Sequence, residues 1–309
     1  AVECAERLAG LMPGAGHIVH MPAHIYIRVG RYHDAVRANE HAVHVDETYI
    51  ADRRPGMGVY TGGYYPHNYH FLAFAATLAG QGDVAVRAAR QTVKTLPPPI
   101  ALMVPSLEGV PAYAHLALVS FGRWQDVITE PMPAAELKTA NGLATYARGV
   151  AFAQLGRWKD AADALESVTQ LARQTRAERG AVAPAIVLDI AGHALAGEIA
   201  LRQGKAGEAV THFELARDIE DALSYEEPPL WYYSMRQSLG KALLAAGRGP
   251  EAERAYREDL KKFPETGWSL FGLAQSLRAQ GRTAEADQVT AQFRRAWQNA
   301  DVTLTASRF

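Results

Sequence analysis

TYARGVAFAQLGRWKDAADALESV, residues 145–168, decides the fold class. An apolar-periodic stretch of helical spacing runs up to Gly156, and a second follows it. Glycine ends the first helix through a left-handed cap, and the small Ala161 lets the two helices approach closely. The pattern returns at 236–264, RQSLGKALLAAGRGPEAERAYREDLKKFP, and at 269–293, SLFGLAQSLRAQGRTAEADQVTAQF. The same Gly-x-x-x-x-Ala pair stands at Gly30 and Ala35, Gly80 and Ala85, Gly204 and Ala209, Gly247 and Ala252, and Gly281 and Ala286. Gly122 with Val127 is a weaker copy. Self-similarity at this period predicts an all-α array of helical hairpins.

These residues resemble the tetratricopeptide repeat (TPR), a 34-residue helix-turn-helix. Small residues fall where the family needs them in the first helix (Ala23, Ala73, Gly149, Gly197, Gly240, Ala274), and Pro13 and Pro264 take the repeat-ending position. The resemblance implies a right-handed superhelix, an α-solenoid, of about seven repeats plus an N-terminal half repeat. The expected boundaries within 1–309 are an orphan second helix at 1–12, then repeats at 16–46, 66–97, 108–137, 142–173, 190–223, 233–264 and 267–299. Residues 47–65, ETYIADRRPGMGVYTGGYY, read as a Gly/Tyr-rich insertion loop. The stretches 129–141 and 173–189 are long, the second prolonging two helices, and EDALSYEEPPLWYYSMR forms another embellished junction. The helix at 1–12 lacks its partner, which points to further repeats upstream or to self-association over that face.

Lys and Arg number 32 against 33 Asp and Glu, which leaves no electrostatic case for nucleic acid. No uninterrupted apolar run reaches the length of a membrane span. The lone Cys4 excludes an intrachain disulfide and cysteine-based zinc sites, and it leaves the compartment open. PGAGH is not a dinucleotide fingerprint, since no strand precedes it, and no nucleophile-elbow or Walker pattern occurs.

The chemistry concentrates in GHIVHMPAHIYIRVGRYHDAVRANEHA, residues 16–42. His17, His20 and His24 fall at i, i+3 and i+7 and stack along one helix face. The TPR resemblance places positions 2, 5, 9, 12 and 13 of each first helix in the concave groove. Counting from Gly16 and Pro66 puts His17, His20 and His24, together with His67 and His70, in that groove. Helix axes about 8–10 Å apart let imidazoles from both helices reach one ion. Imidazole donors suit copper or zinc ahead of iron. The HExxH pattern of zinc hydrolases is missing: Met21, Pro22 and Ala23 carry no carboxylate, and a base would have to come from Glu108 or Glu198. Pro22 threatens to kink the helix and carry His17 off the stripe. His33, His41, His44, His115, His193 and His212 read as isolated.

Tyr60, Tyr64 and Tyr65 are placed to wall the cluster. Phe74, Glu198, Arg202, Trp231, Tyr232, Arg236, Trp268 and Phe271 are the further candidate groove residues, with Arg278 beside them. The segments PGAGHIVHMPAHIYIRVGRY, YYPHNYHFL and EPPLWYYSMRQSLG together resemble a bacterial group of longer TPR proteins with a related HMPxHI segment, for which no reaction is implied. Two functional readings stand. In one, a histidine-lined metal site in the groove serves a metal-dependent enzyme acting on a small molecule. In the other, a scaffold binds a peptide in the groove without metal. A purely structural assembly segment accounts for the orphan helix and leaves the histidine stripe unexplained.

Overall fold

The computed structural model describes residues 1–180 and 182–308, and among these there are helices, turns and irregular chain but no strand. Helix α1 (Val2–Leu11) comes first. Helices α2 (Gly16–His20) and α3 (Pro22–Arg28) run almost as one and form a hairpin with α4 (Tyr32–Arg53). The next hairpin is α5 (Tyr65–Ala79) with α6 (Gly82–Thr95). The third is shortened to α7 (Pro98–Met103), α8 (Tyr113–Ser120) and α9 (Trp124–Thr129). Long hairpins then follow: α10 (Lys138–Gln154) with α11 (Trp158–Arg179), α12 (Ala183–Arg202) with α13 (Ala206–Asp221), α14 (Met235–Ala245) with α15 (Gly249–Lys262), and α16 (Gly267–Ala279) with α17 (Thr283–Ala296). The fold is an all-α solenoid, each hairpin packed on the next.

The small residues of the repeat do their work at the helix crossings. A Cβ on Gly240 or Gly272 would stand 2.4 or 2.2 Å from the Tyr256 ring, so two hydrogen-bearing notches let Tyr256 pass from α15 between α14 and α16. Gly80 ends α5 at φ +73°, and a Cβ there would meet Trp297 at 2.5 Å.

Some elements differ from the pattern. Residues 47–53 continue α4, and a π-helical turn, Tyr60–Tyr64, leads into α5, so the irregular insertion shrinks to 54–59. Tyr60 Oη donates to Asp46 Oδ1 at 2.5 Å and Tyr69 Oη to Glu47 Oε1 at 2.5 Å, tying this segment to α4. The third repeat shortens where Pro105 and Pro111 lack N–H donors and leave 3-10 turns. Helix α11 runs on to Arg179 and α12 begins at Ala183, before residue 190; Ala181, inside the stretch read as prolonging two helices, lies outside the described residues. Helix α12 alone among the described helices is long and apolar enough to cross a membrane, and most of it is buried inside the array. Helix α1 buries Ala5 and pairs Glu6 with Arg31 at 2.6 Å, while Leu11 and Met12 stay exposed.

The two ends of the array meet. Tyr32 Oη donates to the Pro264 carbonyl at 2.6 Å, and Trp268 Nε1 donates to the Thr77 carbonyl at 2.9 Å. After α17 the chain turns back. Asp301 caps α6, its carboxylate accepting from the Gly82 and Asp83 amides at 2.6 and 3.0 Å. Further on, Ser307 Oγ meets Tyr256 Oη at 2.7 Å, and the buried Arg308 guanidinium lies 3.8 Å over the Tyr233 ring and donates to Ser120 Oγ at 2.8 Å. The concave surface is thereby divided into a histidine-lined part at α2, α3 and α5 and an aromatic part at α14 and α16 that the chain itself covers.

Candidate metal centre

Pro22 begins α3 without breaking the stripe. The Met21 amide still donates to His17 O at 3.1 Å, and the His24 amide turns to Met21 O at 3.3 Å, a tighter step past the missing donor. The ring centroids of His17 and His20 lie 5.3 Å apart, and those of His20 and His24 4.7 Å. His67 enters from the first turn of α5, its ring 4.8 Å from His20. Phe71 floors the group, 4.8 Å from His20 and 4.5 Å from His24.

The outer nitrogens decide what the inner ones offer. His20 Nδ1 donates to Asn39 Oδ1 at 2.7 Å, and the Asn39 amide group is fixed by donating to Ala35 O at 2.7 Å. His24 Nδ1 donates to the Glu227 carboxylate, which also accepts from Arg28 at 2.7 Å. These assignments leave lone pairs on both Nε2 atoms, yet the two stand only 2.9 Å apart. His67 Nε2 lies 3.2 Å from His20 Nε2. Unprotonated nitrogens this close repel unless a cation lies between them. A tetrahedral shell with bonds of about 2.0–2.1 Å sets neighbouring ligand nitrogens about 3.3 Å apart, close to both separations. One donor atom each from His17, His20 and His67 falls within 4.8 Å of the others. Outer oxygens that hold imidazole tautomers are the usual supports of histidine metal ligands.

Burial disfavours the charged form of His17, His20 and His67. It holds His20 well below the ordinary 6.5, with repulsion from His67 adding to it. It brings His67 to about 4, with His24 and His17 contributing. His17 is lowered by burial against the opposing pull of the Asn68 amide, although His17 Nδ1 and Asn68 Oδ1 make no hydrogen bond of normal geometry. Burial works to raise Glu227, but its bonds from His24 and Tyr225 and the Arg28 charge hold it below the usual carboxylate range.

Comparison with known proteins adds the family. Tetratricopeptide-repeat models match residues 142–167 and 238–300. Over those residues the chain is similar to tetratricopeptide repeats. No curated protein matches it. Among solved structures, the TPR domain of P58(IPK) is similar at 13% identity over 96% of this chain and 81% of that one, with a TM-score of 0.31. Yeast Tom70 is similar at 12% identity over the same shares, with a TM-score of 0.33.

The first helices of the two N-terminal hairpins bring His17, His20, His24 and His67 together, and His70 falls elsewhere. Its ring stands edge-on to Tyr113 of α8 at 4.4 Å. Tyr64 stacks on His17 at 4.3 Å, while Tyr65 Oη reaches Glu47 at 3.5 Å. Phe74 is buried between Phe71 and Phe263. Glu198 is buried on α12, raised by that burial, 3.9 Å from Lys241, and Arg202 beside it is exposed. Glu108 is buried against Arg179 at 2.5 Å. Trp231, Tyr232 and Trp268 are buried, Arg236 is clamped by Asp221 at 2.7 and 2.6 Å, and Phe271 packs on Phe293 at 5.4 Å. Arg278 reaches Asp287 at 3.3 Å. His193 and His212, isolated in sequence, meet at 3.3 Å between α12 and α13.

Three residues of the centre's support were not singled out from the sequence: Asn39, Asn68 and Glu227. Glu227 lies in the embellished junction after α13, and the proline pair following it was the available signal.

Proposed function

We propose that this TPR protein is an interaction scaffold that holds one transition-metal ion at its histidine centre. His17, His20 and His67 are the ligands whose donor atoms lie within reach of one ion, and His24, its Nε2 2.9 Å from His20 Nε2, is the fourth. The observation that carries this is the convergence of Nε2 lone pairs whose outer nitrogens are bonded to Asn39 and Glu227. An all-imidazole donor set of this spacing favours zinc, with copper(II) next. A bound ion would supply a Lewis-acidic position beside a small cavity. The chain's nearest carboxylate, Glu227, is committed to His24 and Arg28, so it orients a ligand rather than serving as a base. The reading is therefore one of metal binding, without an assigned reaction.

The scaffold half of the proposal is supported by the repeat matches and by the aromatic groove at α14 and α16, which accommodates an extended segment of the chain itself. Elemental analysis after chelation and refilling with zinc or copper tests the metal. One ion per chain is expected, with a raised melting temperature. His20→Ala removes it, and His70→Ala retains it. A folded protein that takes up no ion overturns the reading.

A further inference from the structure

On the far side of the His67 ring lies a cavity of about 80 Å3. Its walls are apolar, built by Leu107, Val110, Tyr113, Leu143, Val187 and Leu230. Several polar groups interrupt this surface, among them His67, Ser106, His70, Thr139 and the Glu226 and Glu227 carboxylates, and two of their atoms stand out. His70 Nε2 is buried with no hydrogen-bond partner among the described residues, and Thr139 Oγ1, also buried, has only a contact with the Glu108 carboxylate that falls short of a hydrogen bond of normal geometry, on residues only 9% and 2% exposed. Both side chains line the cavity. Neither is free to turn away to water: the His70 ring stands against Tyr113, and Thr139 sits at the start of α10, its amide bonded to Glu108. Buried groups left unpaired in this way call for a polar partner from outside the chain.

The lining also limits the charge of that partner. It includes Glu227, already engaged by His24 and Arg28, and the exposed Glu226, with no lysine or arginine among its residues. An anion entering here would meet carboxylate at the mouth and no cation inside. A hydroxyl can donate to His70 Nε2 or accept from it, according to the ring's tautomer, and can pair with the Thr139 hydroxyl in either role. A cavity of 150 Å3 accommodates the six heavy atoms of benzene, so about 80 Å3 encloses about three, the hydroxyl end and inner carbons of a short alcohol whose tail reaches the mouth.

We infer that this cavity is a binding site for a small uncharged molecule with a short hydrocarbon body and a hydroxyl head, the head seated between His70 and Thr139. The ligand would touch His67 on the face away from His20. The inference does not depend on the metal reading, because the orphan atoms and the lining remain in a metal-free chain.

The test titrates metal-free protein with 1-butanol, butylamine and butyrate while the His70 ring signals are followed by NMR. Butanol is expected to shift them saturably, with half-saturation of about a millimolar, as its size allows. Butyrate is expected to bind at least tenfold more weakly. Val187→Phe, which fills the cavity, and Thr139→Val, which removes one head partner, should each weaken butanol at least fivefold. If Val187→Phe does not fold, Leu143→Phe replaces it. A cavity that holds water only would give no saturable shift with any probe and would overturn the assignment. So would butyrate or butylamine binding as tightly as butanol, or butanol binding indifferent to both substitutions. Metal uptake by the same preparation is read separately, so failure here leaves the histidine centre to stand or fall on its own.

Discussion

The concave face of this array is built in two ways. At α2, α3 and α5 it is lined with imidazoles whose inner nitrogens crowd one another and whose outer nitrogens are tied to Asn39 and Glu227. At α14 and α16 it is lined with Tyr232, Tyr233 and Trp268, and the chain's own Arg308 fills it. Both surfaces come from the same repeat positions. The difference lies in what completes them. The aromatic part is satisfied by groups the chain supplies, and the histidine part leaves donor atoms pointing at one another and at a cavity. One region is therefore finished by folding, and the other is arranged for a ligand.

The largest way to break this contrast is Trp268→Ala. It removes a buried ring, a hydrogen bond to Thr77 O and one wall of the Arg308 cage. The expected cost is about 3–5 kcal/mol of stability by urea denaturation, with the metal stoichiometry of the surviving folded protein unchanged. A fall in metal content at full folding would mean that the two regions are coupled.

Asn39→Leu acts on the other region. It leaves the four imidazoles in place and removes the acceptor that sets the His20 tautomer. Metal affinity is expected to drop by about 10- to 100-fold, measured by competition with a chelator. Unchanged affinity would show that Asn39 is only a packing residue.

A last test reads a pair of opposed pH slopes in the metal-free protein. Burial pulls His67 to about 4 and His70 to about 3, below their ordinary 6.5. Their contribution is complete above pH 6.5 and is lost as pH falls towards 4 and 3, by about 1.4 kcal/mol per pH unit for each group. Burial raises Glu220, at the end of α13, to about 7 from 4.5, against the pull of Lys262. Its contribution is complete below pH 4.5 and is lost as pH rises to 7. Glu220→Gln should therefore steepen the acid-side loss of stability between pH 4.5 and 6.5. An identical profile for the variant would contradict the raised carboxyl.

The helices were legible because glycine caps and small residues act locally, within one hairpin. His17, His20 and His24 were legible for the same reason, and His67 followed from repeat register. His70 separated from them because its ring packs edge-on against Tyr113 of α8, a neighbour that position counting within one hairpin does not reveal. The partnership of His24 with Glu227 spans 203 residues and depends on how far the array curves. That curvature is the sum of many small hairpin rotations, which no single motif carries. The same holds for the burial of Trp231, Tyr232 and Trp268: Trp268 was readable on a first helix, Trp231 and Tyr232 stand in the irregular chain before α14, and the covering by a distant segment was not readable.

The meeting of Trp268 with Thr77 and of Asp301 with the start of α6 has a consequence for how the chain comes apart. An open row of repeats frays from its ends, each hairpin answering only to its neighbours. Here the last repeat is fastened to the second, so loosening the C-terminal hairpin also exposes α5, which carries His67. Hydrogen exchange in α16 and in α5 should then share one opening event, and folding should wait on a contact between residues far apart in the chain.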